Sequence, residues 1–151
     1  MQTQVMFYLL PDKKSASNIN ASTALYHACL QASYFYRQNQ RVFIYTQDQK
    51  SAEQIDEMLW AFDSDSFVPH NLSGEGPKQG AAVEISHQAP RGRRPVLINL
   101  TSTVPNFASQ FQFIVDFVPS DETLKQLARE RFKTCRQKGF QVNNQAVSTT
   151  Q

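Results

Sequence analysis

Five short apolar runs recur along the chain: VMFYLL at 5–10, RVFIYT at 41–46, VEIS at 83–86, VLINL at 96–100 and QFIVDFV at 112–118. Most of them carry no polar alternation, as expected of strands covered on both faces. The segments between them repeat at helical spacing. In 21–38, Leu25, Ala28, Cys29, Ala32 and Tyr36 share one side. Asp48 can cap a helix that reaches about Phe62, with Ile55, Met58, Leu59 and Phe62 at core spacing. Pro105 opens a short helix to Gln110, and 119–138 begins with acids, ends with bases and stops at Gly139. Strands alternating with helices predict an α/β fold. Its centre is expected to be a largely parallel sheet.

The chain has 151 residues, 40% of them hydrophobic, which fits a single α/β domain over 1–140. The remainder, 141–151, is polar and reads as a flexible C-terminal tail. No apolar run approaches the roughly 18 residues of a membrane span. Cys29 and Cys135 read as free thiols, which points to a cytoplasmic protein.

The stretch SFVPHNLSGEGPKQGAAVEI at 66–85 holds Gly74, Gly76, Gly80 and Lys78. A phosphate loop needs a hydroxyl residue after the lysine and a helix beyond it. Here Gln79 follows Lys78, and a strand-like run comes next. The dinucleotide spacing fails as well. The segment reads as a turn-rich loop joining two strands, not as a phosphate loop. His27, His70 and His87 have no metal-ligand spacing, Asp63 and Asp65 read as an acidic turn, and no nucleophile elbow is present. These features predict no catalytic residues, no metal and no cofactor.

The segment 121–139 is the most informative. At about 100° per residue, with Lys125 at the origin, Arg136, Arg129 and Lys133 all fall within about 80°. Leu124, Leu127, Ala128 and Cys135 cluster on another side, expected to face the core. Phe132 lies on the seam between them. Arg131 falls inside the apolar face and needs a carboxylate, for which Asp116 is a candidate. A cationic stripe beside an aromatic seam suits an acidic peptide with an apolar anchor. A solvated face balanced by Asp121, Glu122 and Glu130, or contact with nucleic-acid phosphates, fits the same pattern. The basic loop RGRR at 91–94 reads as solvated, with steering of acidic partners as the alternative.

Three motifs together, FYLL at 7–10, the glycine-rich stretch at 66–85 and DFVPSDETLKQLARERFK at 116–133, resemble the chi-subunit family of bacterial DNA polymerase III. The resemblance covers nearly the whole length and weakens in 11–34 and after Phe140. It implies a single α/β domain with a central largely parallel or mixed sheet, helices on both faces and a nucleotide-binding-like topology without a phosphate loop. It also implies a non-catalytic adaptor of the clamp-loader assembly. One surface would bind the psi subunit. Another would bind the acidic, phenylalanine-ended C-terminal tail of single-stranded DNA-binding protein, so that contact with DNA is indirect. An iron–sulfur repair helicase would use the psi surface in turn. Carried over by motif, the tail-binding residues are Lys125, Arg129, Phe132, Lys133, Arg136 and Val118. Phe132 replaces the tyrosine expected there. The psi-binding residues are Phe67, Val68, Pro69 and His70, expected as an exposed apolar ledge. Trp60 and Phe62 just before it belong to either of the two binding surfaces or to the core, and the lone tryptophan is read as core. The competing classes are a direct single-strand binder using Tyr34, Phe35, Tyr36 and Arg37, and a nucleotide-binding enzyme.

Overall fold

The computed structural model describes residues 2–12, 23–62, 68–73 and 81–147. Its elements run β1 (Gln4–Leu9), α1 (Ala24–Arg37), β2 (Val42–Tyr45), α2 (Gln49–Phe62), β3 (His70–Leu72), β4 (Val83–Ser86), β5 (Val96–Asn99), β6 (Phe113–Val118), α3 (Glu122–Gln137) and β7 (Gln141–Ala146). The seven strands form one sheet in the order β3-β4-β2-β5-β6-β1-β7, and every pairing is parallel.

Strand alternation divides the core into two layers. Val42 and Ile44 of β2 point to one side, where α1 and α2 contribute Ala28, Cys29, Ala32, Ile55 and Leu59. Phe43 points to the other, with Val5 and Phe7 of β1, Phe107, Phe111 and Cys135 of α3. Helices therefore cover both faces, as the doubly covered strands require.

Local chemistry sets the helix limits. The Asp48 carboxylate accepts from the Ser51 N–H at 2.8 Å at the start of α2, and this bond holds its carboxyl below the ordinary range. Asp121 caps α3 by accepting from the Leu124 N–H at 3.0 Å. Gly139 ends that helix at φ +81°, a conformation glycine adopts without steric cost.

Several expectations are corrected. The segment 141–146, read as a flexible tail, is strand β7, paired in register with β1 from Gln4↔Gln141 to Leu9↔Ala146. Its polar sequence QVNNQA gives no apolar period because it lies at the sheet edge with one neighbour. Residues 148–151 lie outside the described residues. The expected ledge leads into β3, the edge strand opposite β7. Val68 just before it is 2% exposed, and His70 within it is also buried. Arg94 is not solvated. It is buried and donates to the Val42, Ala81 and Ala82 carbonyls at 3.3, 2.9 and 3.0 Å. It also pairs with Glu84 at 3.6 Å.

Candidate functional site

The rotation of α3 is fixed by a buried ion pair. Arg131 Nε donates to Asp116 Oδ2 at 2.9 Å and Nη2 donates to Oδ1 at 3.0 Å. The guanidinium also reaches the Ser102 and Phe117 carbonyls at 3.2 and 3.1 Å. Asp116 lies on β6, so this fork pins one side of α3 to the middle of the sheet. Burial pushes the Asp116 carboxyl up, opposed by the guanidinium, the Phe117 N–H and Asn99. With Arg131, Ala128 and Cys135 turned inward, helical geometry directs Lys125, Arg129, Lys133 and Arg136 away from the core.

Beside that stripe opens a cleft of about 500 Å³. Its walls are Phe7, Leu9 and Leu10 from β1 and its end, Val118, Pro119 and Ser120 after β6, Lys125, Ala128, Arg129 and Phe132 of α3, and Asn144 of β7. Of the residues expected to form a peptide site, the structure thus brings Val118, Lys125, Arg129 and Phe132 around one cavity. Lys133 and Arg136 do not line it. They continue the same face toward the end of α3, both exposed.

The Phe132 ring is half-buried, stacked obliquely on Phe7 at 5.2 Å between centroids, so one flank reaches the cleft. Leu9 is 41% exposed and adds apolar wall. Lys125 is half-buried and touches Glu122 at 3.6 Å. Arg129 donates to the Gln126 amide oxygen at 3.4 Å. Among the described residues, Arg129, Lys133 and Arg136 have no carboxylate within 4 Å, so the expected balance by Asp121, Glu122 and Glu130 reaches Lys125 alone. The arrangement can hold carboxylates at its rim and an aromatic or aliphatic group within.

The expected apolar face of α3 is only partly buried. Leu124 and Leu127 are exposed, on the rim of a second cavity above the Asp116–Arg131 pair.

The second candidate surface is built differently from expectation. Phe67 lies outside the described residues, as do Gly74, Gly76, Lys78, Gly80, Asp63 and Asp65. Val68 and His70 are buried, and Pro69 is half-exposed. His70 Nδ1 lies 2.8 Å from the Val68 carbonyl, and Nε2 lies 3.4 Å from Asp56 of α2. The apolar group at the surface is Trp60, 63% exposed and edge-on to the His70 ring at 4.9 Å. Reading Trp60 as core was wrong. On α2 it falls about 140° from buried Ile55, off the apolar stripe, and that angle was available in the sequence. The contributions of Phe7, Leu9, Leu10 and Asn144 to the cleft were not, because they come from strands whose order spacing does not reveal.

Among the described residues no three His, Cys, Asp or Glu side chains gather as a metal site. No described helix is long and apolar enough to cross a membrane. Both cysteines are buried and unpaired with each other.

Fold and surface together define a parallel, doubly covered α/β protein with a cation-rimmed cleft at one sheet edge. The family model for the DNA polymerase III chi subunit, HolC, matches residues 1–143, and the chain belongs to that family, a replication accessory subunit. It is 45% identical over 139 residues to the DNA polymerase III subunit chi of Escherichia coli, covering 91% of this chain and 93% of the relative. It is 42% identical over 122 residues to that of Haemophilus influenzae, covering 80% and 85%. With that of Pseudomonas aeruginosa the identity is 29% over 142 residues, covering 94% and 95%. The fold is similar to part of the crystal structure of T4 UvsW, with a TM-score of 0.63 and 10% identity over 98% of this chain and 42% of the other.

Proposed function

We propose that this subunit is a non-catalytic adaptor that joins the clamp loader to single-stranded DNA-binding protein. The cleft between α3, β1 and β7 takes the acidic C-terminal tail of that protein. The terminal aromatic ring enters between Phe132, Leu9 and Val118, and the tail carboxylates meet Lys125, Arg129, Lys133 and Arg136. The observation that carries this reading is the cavity itself: an apolar interior of about 500 Å³ with cations on its rim, of which Arg129 has no acidic partner among the described residues.

The psi subunit takes the surface at the opposite edge of the sheet, where exposed Trp60 stands beside Pro69 and His70. Aromatic groups of this exposure are frequent anchors of interfaces. An iron–sulfur repair helicase would compete for it, and a cytoplasmic site of action follows from these partners.

Calorimetry with a synthetic acidic peptide ending in phenylalanine tests the cleft. A charge-assisted hydrogen bond contributes about 1.5–3 kcal/mol, so Arg129→Ala weakens binding roughly tenfold to a hundredfold. Raising the salt weakens the wild-type complex by screening. Equal affinities for mutant and wild type would remove the assignment. Binding of a bare oligonucleotide with comparable affinity would instead favour the direct single-strand class.

A further inference from the structure

The cleft opens onto the sheet edge formed by β7. Among the described residues β7 has one neighbour, β1. The phase of that pairing is fixed at both ends. The Gln141 N–H donates to the Thr3 carbonyl at 2.9 Å and the Val147 N–H to the Leu9 carbonyl at 3.1 Å. In a parallel ladder alternate residues bond to the same neighbour. Residues 141, 143, 145 and 147 therefore face β1, and Val142, Asn144 and Ala146 turn their N–H and C=O groups outward. The Asn144 side chain also lines the cleft, so this outward edge begins at its rim.

The cations run beside the same edge. The turn at Gly139 joins α3 to β7, and α3 packs on β7 as well as on β6. Arg129, Lys133 and Arg136 are separated by four and three residues, about 6 and 4.5 Å along a helix. Alternate side chains of an extended chain are about 6.7 Å apart. A strand laid on β7 would thus turn every second side chain toward a cation.

We propose that the acidic peptide does not stop at the cleft but continues along β7 as an eighth strand. Its main chain bonds to the outward groups of Val142, Asn144 and Ala146, and alternate carboxylates face Arg129, Lys133 and Arg136. This rests on the peptide reading of the cleft and adds a main-chain mode of recognition to it. The edge is polar, and its Asn and Gln side chains present no apolar surface when the peptide is absent.

The test uses the whole protein and synthetic acidic, phenylalanine-ended peptides, each N-methylated at one residue, with affinity read by calorimetry. N-methylation removes one main-chain donor. Expected is a two-residue alternation: at every second position upstream of the ring, binding weakens about tenfold, and at the positions between it holds within about twofold. On the protein side, Ala146→Pro removes an outward N–H that β1 does not use. It weakens the same peptide severalfold with the thermal midpoint kept. Uniform binding across the methylated set, with Arg129 still required, overturns the added strand and leaves the cleft reading standing. Loss of binding by the unmodified peptide overturns both.

Discussion

Arg131 on α3 and Asp116 on β6 meet as a two-pronged pair inside the protein, at 2.9 and 3.0 Å. The pair decides which face of α3 looks outward, so the proposed peptide surface depends on a contact inside the protein. Removing one member strands the other charge. Arg131→Ala is expected to cost about 3–5 kcal/mol in urea unfolding. The double change Arg131→Met with Asp116→Leu recovers most of that loss, because the desolvation penalty disappears with both charges. A double variant as unstable as the single one would show that the hydrogen bonds to Ser102 and Phe117 matter more than the pair.

Phe132 stacks on Phe7 and forms a wall of the cleft. Phe132→Ala removes a half-buried ring. Its cost should be about 1–2 kcal/mol, below that of a fully buried phenylalanine, with peptide affinity reduced at least tenfold. Phe132→Tyr keeps the ring and leaves the thermal midpoint and the affinity close to wild type. Denaturation and calorimetry on the two variants separate wall from core.

The thiols are shielded. Burial pushes Cys29 up to about 12 and Cys135 up to about 11. Both remain protonated through neutral pH, so iodoacetamide at pH 8 should leave the folded protein unlabelled and label both sites in denaturant. The folded values lie above the ordinary thiol value of 9.0. The thiols' contribution to stability is therefore full below that pH and lost as the pH rises through the folded values. Unfolding free energy measured between pH 8 and 11 should fall with pH, and Cys29→Ala should flatten the fall.

Trp60 is exposed beside His70. Trp60→Ala should change stability by less than about 1 kcal/mol while weakening co-purification of the psi subunit at least tenfold. Retention of psi at wild-type levels would move that interface elsewhere. Binding of the acidic peptide in the same variant should be unchanged, since the two surfaces lie at opposite edges of the sheet.

Much of this was legible along the chain. Runs without polar alternation marked the covered strands, helical spacing marked α1 and α3, and Gly139 marked the end of α3. An arginine at a core angle of α3 demanded a carboxylate, and Asp116 supplies it. The cationic stripe with Phe132 at its margin followed from 100° steps alone. Tertiary structure decided which strands are neighbours. It made QVNNQA the edge strand β7, buried Val68 and Arg94, left Trp60, Leu124 and Leu127 in solvent, and brought Phe7, Leu9 and Asn144 to the cleft. The physical reason is range. Periodicity reports which side chains of one element share a face, because that depends on local backbone geometry. Burial at a sheet edge and the walls of a cleft depend on what the remote chain places opposite, and local spacing carries no record of it.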